Sequence, residues 1–290
     1  MLNFSRIPMS SFESVKQNIE EIKTLKSIAN VFSDIAAYRI NRLKSRFERN
    51  IEFFEQMTQL YHSIKISAIY QKARKKGKIK PTILHPRTVH IALTSNRRFY
   101  GTINRDVMDA FLDQVNKSRE DGIVIGLTGK ELITLKYGNN SYEFIIFKED
   151  SPSHAERSGL LEKIKSYDRV FVYYPQFINM LTQHVTRIDI AYAPEPVALE
   201  KKELRMIFEP ELLQIIAFFD QQIRTILFDR ITVETELARM SRRLVVTDTA
   251  EKQAGRILRL TQADLHRAYK ASVNRSIIET VSRLKRGRIY

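Results

Sequence analysis

The chain contains no cysteine among its 290 residues, so disulfide bonds, thiolate metal ligands and cysteine nucleophiles are all excluded. Glycine (9) and proline (8) are both scarce, which favours long uninterrupted elements over many turns. No stretch approaches the roughly 18 to 20 consecutive apolar residues of a membrane span. No apolar run typical of a secretory signal follows the start, and we therefore expect a protein that is made and kept inside the cell.

The net charge is strongly positive, because 48 Lys and Arg residues face only 33 Asp and Glu residues, giving +15 and a pI near 9.9. A surplus of this size predicts an acidic partner, and nucleic acid is the first class to consider. The basic residues, however, run along both terminal segments instead of being gathered with aromatics in one patch. The basic block at 72–80 falls where a helix is expected to end, and cations there complement the negative end of the helix dipole.

The N-terminal segment has neither glycine nor proline between Met9 and Lys76, and its apolar residues recur at alternating spacings of four and three. A 3.5-residue repeat held this long predicts a coiled coil with left-handed supercoiling. At about 1.5 Å per residue the helix would be on the order of 90 to 100 Å long, so we expect it to project beyond any globular core. The predicted inward positions are Val15, Ile19, Ile22, Lys26, Ala29, Ser33, Ala36, Ile40, Leu43, Phe47, Asn50, Phe54, Met57, Tyr61, Ile64 and Ala68.

The middle of the chain alternates strand-like and helical segments, which predicts an α/β domain with a mainly parallel sheet. A second long helix follows Pro210, and two long helices flanking one domain are expected to pair antiparallel. We therefore divide the chain into an N-terminal coiled-coil helix (1–81), a central α/β domain (82–205) and a C-terminal coiled-coil helix (206–290). The predicted strands are 88–94, 122–127, 142–147 and 169–174, and the predicted helices between them are 105–118 and 153–166.

No motif in the chain predicts catalysis or a cofactor. The segment Gly126-Leu127-Thr128-Gly129-Lys130 resembles a phosphate-binding loop, but Val124 and Glu131 stand where that loop needs Gly and Ser or Thr. We interpret it as a strand-ending turn. The six histidines include no pair at i, i+4, so we predict no metal site, and no G-x-S-x-G or other catalytic set is present.

Several groups of residues, in a fixed order over nearly the whole chain, match the motifs of one protein family. They are Ser14-Val15-Lys16, Thr94-Ser95-Asn96-Arg97 with Gly101-Thr102-Ile103-Asn104, Ile125-Gly126-Leu127-Thr128-Gly129, Tyr167-Asp168-Arg169-Val170-Phe171 with Tyr174, Phe177, Asn179 and Gln183, Phe208-Glu209-Pro210, and Ala238-Arg239-Met240. In order and spacing the set resembles the gamma subunit of F-type ATP synthases. Its central-domain motif residues are Thr94, Arg97, Gly101, Asn104, Gly126, Gly129, Asp168, Phe177, Asn179 and Gln183. Physically, Gly101 suits a tight turn, and we expect Asn104 to cap the helix that starts at Arg105.

The resemblance implies a noncatalytic rotor subunit whose paired terminal helices form a shaft inside a ring of alpha and beta subunits. Its globular part would sit on the membrane c-ring and bind the small epsilon-type subunit. The protein would be peripheral to the cytoplasmic face of a bacterial inner membrane, with an organelle inner membrane as the less favoured alternative. The carry-over places Lys26, Arg239, Lys270 and Asn274 against the catalytic head. The surplus positive charge then has a target in the acidic loops that beta subunits present to the shaft.

Departures near the C-terminus indicate a divergent or alternative rotor. Tyr269-Lys270 replaces the family's Arg-Gln pair, Asn274 replaces its Thr, and the final residues 282–290 are basic where the family is small and apolar. Two alternatives to an ATP synthase rotor stay open. One is the rotor of a related F-type-like motor that is not used for ATP synthesis, and the other is a basic coiled-coil scaffold that binds nucleic acid.

Overall fold

The computed structural model of the chain describes residues 9–74, 87–137, 142–191 and 212–286. Two long helices enclose an alternation of strands and short helices in the chain order. The helices are α1 (Met9–Arg74), α2 (Ile103–Ser118), α3 (Leu127–Tyr137), α4 (His154–Ile164) and α5 (Leu212–Arg286), and the strands are β1 (Thr88–Leu93), β2 (Asp121–Ile125), β3 (Glu143–Ile145), β4 (Arg169–Phe177) and β5 (Gln183–Asp189). The motif Phe208-Glu209-Pro210 lies outside the described residues.

The strands form one sheet in the order β3-β2-β1-β4-β5. The first four strands run parallel, with Val89 of β1 beside Asp121 of β2 and Val170 of β4, and β5 runs antiparallel to β4. The mainly parallel sheet predicted from the alternating pattern is therefore confirmed. Strand β5 and helix α3 were not predicted from the sequence.

Two of the short helices show in their sequence why they form. Helix α2 carries Val107, Phe111 and Val115 at helical spacing, and all three side chains are buried. Helix α4 starts with a capping box, in which the Ser153 hydroxyl accepts from the Glu156 N–H while the Glu156 carboxylate accepts from the Ser153 N–H. Such reciprocal bonds satisfy two of the donors that a helix leaves open at its start.

The sheet is covered on both faces, as a parallel sheet requires. Alternate residues of β1 point to opposite sides, so that Val89, Ile91 and Leu93 belong to one buried cluster and Ala92 to another. The first cluster includes Phe54, Leu227, Phe228 and Ile231 of the two long helices, together with Leu160 and Ile164 of α4. The second is built mainly from α2, with Val124 of β2, Ile133 of α3 and Tyr173 of β4.

The chain divides into two compact units, Met1–Ile35 with Leu244–Tyr290, and Ala36–Arg243. The long helices pack together antiparallel within each unit. In the first unit, Lys16 and Ile19 of α1 share a groove with Leu265 and His266 of α5, and further along α1 Lys26 shares one with Gly255. In the second unit, Phe54 of α1 packs in one cluster with Leu227 of α5. None of the described helices has a stretch long and apolar enough to cross a membrane.

The predicted stripe on α1 is its buried face. Every predicted position with a described side chain is buried or half-buried, whereas exposed residues stand between them, such as Leu25, Tyr38 and Phe53. The polar members Lys26, Ser33 and Asn50 are half-buried, and the side chain of Ala68 lies outside the described set. The left-handed supercoil and the three domain boundaries stay predictions.

Candidate functional site

The carboxyl edge of the sheet joins the ends of β1 and β2 through Thr94 and two glycines. The Thr94 hydroxyl donates to the Ile125 carbonyl at 2.6 Å and accepts from the Gly129 N–H at 3.0 Å. Gly126 has φ +103°, and a Cβ there would lie 2.5 Å from the Thr94 carbonyl oxygen. Only glycine accommodates both that backbone conformation and that approach. Gly126 thus ends the strand as predicted, but residues 127–130 belong to α3 instead of a turn.

The start of α3 is closed to an anion. A helix N-terminus binds phosphate through N–H groups that have no partner within the helix. Here the Leu127 N–H donates to the Asn96 side chain at 2.9 Å, the Thr128 N–H to the Ser95 carbonyl at 2.9 Å, and the Gly129 N–H to Thr94. The loop after β1 therefore occupies the donors that a phosphate would need at the segment resembling a phosphate-binding loop.

The same loop is braced by buried and half-buried polar side chains. The Asn96 amide donates to the Phe147 carbonyl at 2.6 Å, and its main-chain N–H donates to Asp150 at 2.6 Å. The buried Asn104 side chain donates to the Ser95 hydroxyl at 2.8 Å. The prediction that Asn104 caps a helix is wrong, because α2 begins at Ile103 and the amide of Asn104 turns back to the loop. Gly101, with φ +60°, makes the tight turn as expected.

Helix α5 reaches this edge with two arginines. The guanidinium of Arg239 donates to the Leu93 carbonyl at 2.8 Å, and that of Arg243 donates to the Arg98 carbonyl at 2.9 Å. The Arg243 guanidinium also lies 4.3 Å from the centre of the Tyr100 ring, within the range of a cation–π contact. The Tyr100 hydroxyl donates to the Asp150 carboxylate at 2.7 Å. We call these four residues, Arg239, Arg243, Tyr100 and Asp150, the polar joint.

Burial sets the electrostatics of the polar joint. Removal from water disfavours the charged form of a group. It therefore lowers the pKa of Arg239, whose side chain is only 1% exposed, and that of Arg243. Burial, reinforced by the nearby Asp150 carboxylate, raises the pKa of the Tyr100 phenol. The Asp150 carboxylate attracts both guanidinium groups and partly offsets the free-energy cost of removing them from water.

A second polar contact joins α5 to the end of β4. The Tyr174 hydroxyl lies 3.4 Å from the buried Glu234 carboxylate, which also accepts from the main-chain N–H of Phe177. Burial raises the pKa of Glu234 and that of Tyr174. Tyr174, one of the residues that match the family's motifs, is thus buried and in contact with the C-terminal helix α5.

The other central motif residues shape the sheet elsewhere. Asp168 accepts from the Arg87 N–H and so ties the chain before β1 to the start of β4. The Phe177 ring packs edge-on against Phe47 of α1, with 6.3 Å between ring centres. The Asn179 side chain accepts from the N–H groups of residues 181 and 182, and the Gln183 amide donates to the carbonyls of residues 179 and 180. Asn179 and Gln183 therefore form the turn between β4 and β5.

The residues predicted to face a catalytic head separate into two groups. Lys270 and Asn274 are exposed on α5, and Lys26 is half-buried on α1. Arg239 is buried and bonded within its own unit, which does not favour contact with a partner subunit, and its placement against the catalytic head stays a prediction. Arg97 is exposed beside the polar joint. Sequence reasoning missed Tyr100, Asp150 and Arg243. One signal for Arg243 was present, since it follows Arg239 by four residues and so shares its helix face.

The fold and the site define a class of protein. It has a central α/β domain and two paired terminal helices, and its C-terminal helix is hydrogen-bonded to the carboxyl edge of the sheet. A family described as ATP synthase matches residues 11–284 of the chain. The ATP synthase gamma chain of Paramagnetospirillum magneticum is 22% identical over 292 residues, covering 94% of this chain and 98% of that one. The chain belongs to the ATP synthase family.

Solved structures agree on the fold. A chain in the rotor of the Euglena gracilis mitochondrial ATP synthase matches with a TM-score of 0.64 and 12% identity, covering 92% of this chain and 100% of that one. A chain from the central stalk and c-ring of the Tetrahymena thermophila mitochondrial enzyme matches with a TM-score of 0.56 and 14% identity, covering 77% and 99%. The fold of the chain is thus similar to that of chains in an ATP synthase rotor and in an ATP synthase central stalk.

Replacing Gly126 by alanine is expected to destabilise the chain. A residue with a side chain is strained at φ +103°, and the added Cβ would meet main-chain atoms of Thr94 that cannot move cheaply. Strain of this kind costs about 1 to 3 kcal/mol. Chemical denaturation of the purified chain measures it. The matched control is Gly159→Ala in α4, where a Cβ meets nothing within 4 Å and the change should stabilise by roughly 0.5 to 1 kcal/mol. Equal effects at the two sites would contradict the close approach at Gly126.

Alkaline pH should destabilise the chain through Tyr100. Its pKa is raised above the ordinary 10.0, so above that pH the unfolded state releases a phenol proton that the folded state keeps. The folded state then binds more protons, and the free energy of unfolding falls as pH rises. Denaturation at several pH values between about 8 and 11 should show a shallower decline for Tyr100→Phe than for the unchanged chain. Tyr269→Phe, at an exposed tyrosine of α5, is the control and should leave the decline as it was. An equally steep decline in Tyr100→Phe and in the unchanged chain would contradict the raised pKa of Tyr100 as its cause.

Proposed function

We propose that the chain is the gamma-type rotor subunit in the central stalk of an F-type ATP synthase, and that it couples ion flow through the membrane sector to ATP synthesis or hydrolysis in the catalytic head. The match of one ATP synthase family to residues 11–284 carries the proposal. The antiparallel packing of α1 and α5 within each unit supports it, because a pair of long helices is what a shaft requires. The positive charge of +15 suits a shaft that turns among acidic loops.

The proposed subunit is noncatalytic. The edge where doubly wound sheets bind nucleotides, outside the carboxyl ends of the strands, is filled here by side chains of the protein itself. The Arg239 guanidinium donates to the carbonyl at the end of β1, and residues 94–96 accept hydrogen bonds from the first N–H groups of α3. Nucleotide chemistry is accordingly assigned to the alpha and beta partners.

The proposed partners are the alpha and beta subunits, an epsilon-type subunit and the membrane c-ring. Relatives of the same fold come from a rotor, from an assembly of OSCP, F1 and c-ring, and from a central stalk with its c-ring. We place Lys26, Lys270 and Asn274 against the catalytic head, which their positions on the paired helices of one unit support. The subunit would be peripheral to the membrane, at the cytoplasmic face of a bacterial inner membrane.

Purification of the tagged chain from cells that express its partners tests the proposal. Alpha and beta subunits should co-purify, the complex should hydrolyse ATP, and the chain alone should not. Turnover by the pure lone chain would contradict the noncatalytic assignment. Recovery of nucleic acid without nucleotide-binding subunits would favour the basic scaffold. Synthesis driven by an ion gradient, against hydrolysis alone, separates an ATP synthase from a related motor.

Rotation itself can be observed with a single label. Because the chain has no cysteine, Ser158→Cys on the exposed face of α4 offers one attachment point for a probe. With the catalytic head fixed to a surface, the probe should turn in one direction while ATP is consumed. A probe that stays still during hydrolysis would contradict the rotor assignment. A probe on a beta subunit is the control and should not turn.

A further inference from the structure

The polar joint links α5 to three segments of the central domain. Arg239 bonds to the end of β1, Arg243 bonds to the loop after β1, and Tyr100 of that loop bonds to Asp150 in the loop after β3. Strand β1 lies in the middle of the sheet, with β2 and β4 hydrogen-bonded on either side. A force on either arginine is therefore transmitted to the central strand of the sheet and not to an edge strand.

Apart from the contact of Glu234 with Tyr174 and the Phe177 N–H, the rest of the described contact between α5 and the sheet is mainly apolar. Leu227, Phe228 and Ile231 pack in the buried cluster with the strands. Apolar contact is non-directional, so it resists separation of the helix from the sheet more than it resists rotation of the helix about its own axis. Hydrogen bonds have a preferred distance and angle, and bonds from two successive turns of α5 to fixed main-chain carbonyls define the helix angle.

The polar joint is an expensive way to obtain stability alone. Burying a charged group is unfavourable unless it is paired and fully bonded, and apolar residues of similar volume often do as well. The Nε atom of Arg239 is buried, and no hydrogen bond to it is found among the described residues. Two buried guanidinium groups at the carboxyl edge of the sheet therefore indicate that the polar joint specifies how α5 is oriented against the sheet.

We propose that the polar joint transmits torque between α5 and the central sheet by fixing the angle of the helix about its own axis. This inference rests on the proposed rotor function. In the assembled motor, rotation of the central domain would reach the shaft through Arg239 and Arg243, while Tyr100 and Asp150 hold the loop that receives the second of them. A loosened joint would let the helix turn without the sheet, and ATP hydrolysis would lose its link to ion movement.

The test uses the whole complex in sealed vesicles, with ATP hydrolysis and ATP-driven ion pumping measured on the same sample. The readout is the ratio of pumping to hydrolysis. Tyr100→Phe removes only the hydroxyl that binds Asp150, and Arg243→Met removes the bonded guanidinium at similar size. The double variant should lower the ratio by about fivefold or more, as expected when a coupling contact is lost. Arg243→Lys, which keeps the charge, should restore part of it.

The control is Lys117→Met, which removes an exposed cation that pairs with Asp113 of its own helix α2. Its ratio should equal that of the unchanged complex. A residue that only stabilises the fold would lower hydrolysis and pumping together, so an unchanged ratio in the double variant overturns the inference. If the unchanged complex itself neither hydrolyses ATP nor pumps, the proposed function fails, and that outcome is distinct from an intact complex with a normal ratio in every variant.

Discussion

Replacing Ile40 by proline is expected to break α1 and to prevent assembly of a coupled motor. Within an intact helix the N–H of residue 40 bonds to the carbonyl of residue 36, and proline both removes that donor and clashes with that carbonyl, at a cost of about 3 kcal/mol or more. The Ile40 side chain is 1% exposed, so its loss adds a packing defect. For a chain of this size the unfolding temperature should fall by roughly 6 °C or more.

Thermal unfolding of the lone chain and ATP turnover of the complex measure the effect. Ile40→Val is the matched control, because it keeps the main-chain bond and removes one methyl group, which costs about 0.5 to 1.5 kcal/mol. The valine variant should assemble and turn over ATP. Normal unfolding, assembly and rotation of the proline variant would mean that α1 does not act as one continuous helix in the motor.

The buried face of α1 could be predicted from the sequence for a simple physical reason. A segment from Met9 to Lys76 without glycine or proline fixes the helical phase, and the 3.5-residue repeat then determines which side faces inward. The buried residues Ala36, Ile40 and Leu43 all fall on the predicted stripe. The β-branched runs of the four parallel strands were equally readable, since strands covered on both faces must be apolar throughout.

Helix α3 and strand β5 were missed because nonlocal or weak signals define them. The start of α3 is stabilised by side-chain and main-chain acceptors of residues 94–96, some 31 positions earlier in the chain. Gly129, in its first turn, also argued for a turn by local chemistry. Strand β5 lies at the edge of the sheet and is mostly half-buried, so its apolar alternation is weak. Its turn is nevertheless encoded by Asn179 and Gln183, whose side chains bond to the local main chain.

The site was less predictable than the fold because its bonds join distant segments. An arginine on a long helix is ordinarily at the surface, and nothing near Arg239 in sequence signals that its acceptor is a main-chain carbonyl 146 residues away. Likewise, Asp150 gains its importance only from Tyr100 and Asn96, about 50 positions earlier. Motif matching located the edge of the sheet, whereas the partners of each side chain required the folded structure.

Arg239→Ala is expected to unfold the chain more readily instead of weakening a contact with a partner. Arg239 is among the largest fully buried side chains, so alanine leaves a cavity and also leaves the Leu93 carbonyl without its donor. Large-to-small changes of this kind cost about 2 to 5 kcal/mol. Arg239→Met fills much of the volume without a buried charge, and it should be markedly less destabilising than alanine. Chemical denaturation of the three forms measures the order.

The paired change Lys270→Ala with Asn274→Ala supplies the contrast, because both side chains are exposed on the described part of α5. Exposed substitutions usually change stability by no more than about 0.5 kcal/mol, so the lone chain should unfold as before. If these residues meet the catalytic head, ATP turnover of the complex should nevertheless fall. The opposite result for Arg239→Ala, unchanged unfolding with lowered turnover, would mean that its guanidinium leaves the edge of the sheet to contact a partner. The placement of Arg239 against the catalytic head would then stand, and the polar joint would lose its central bond.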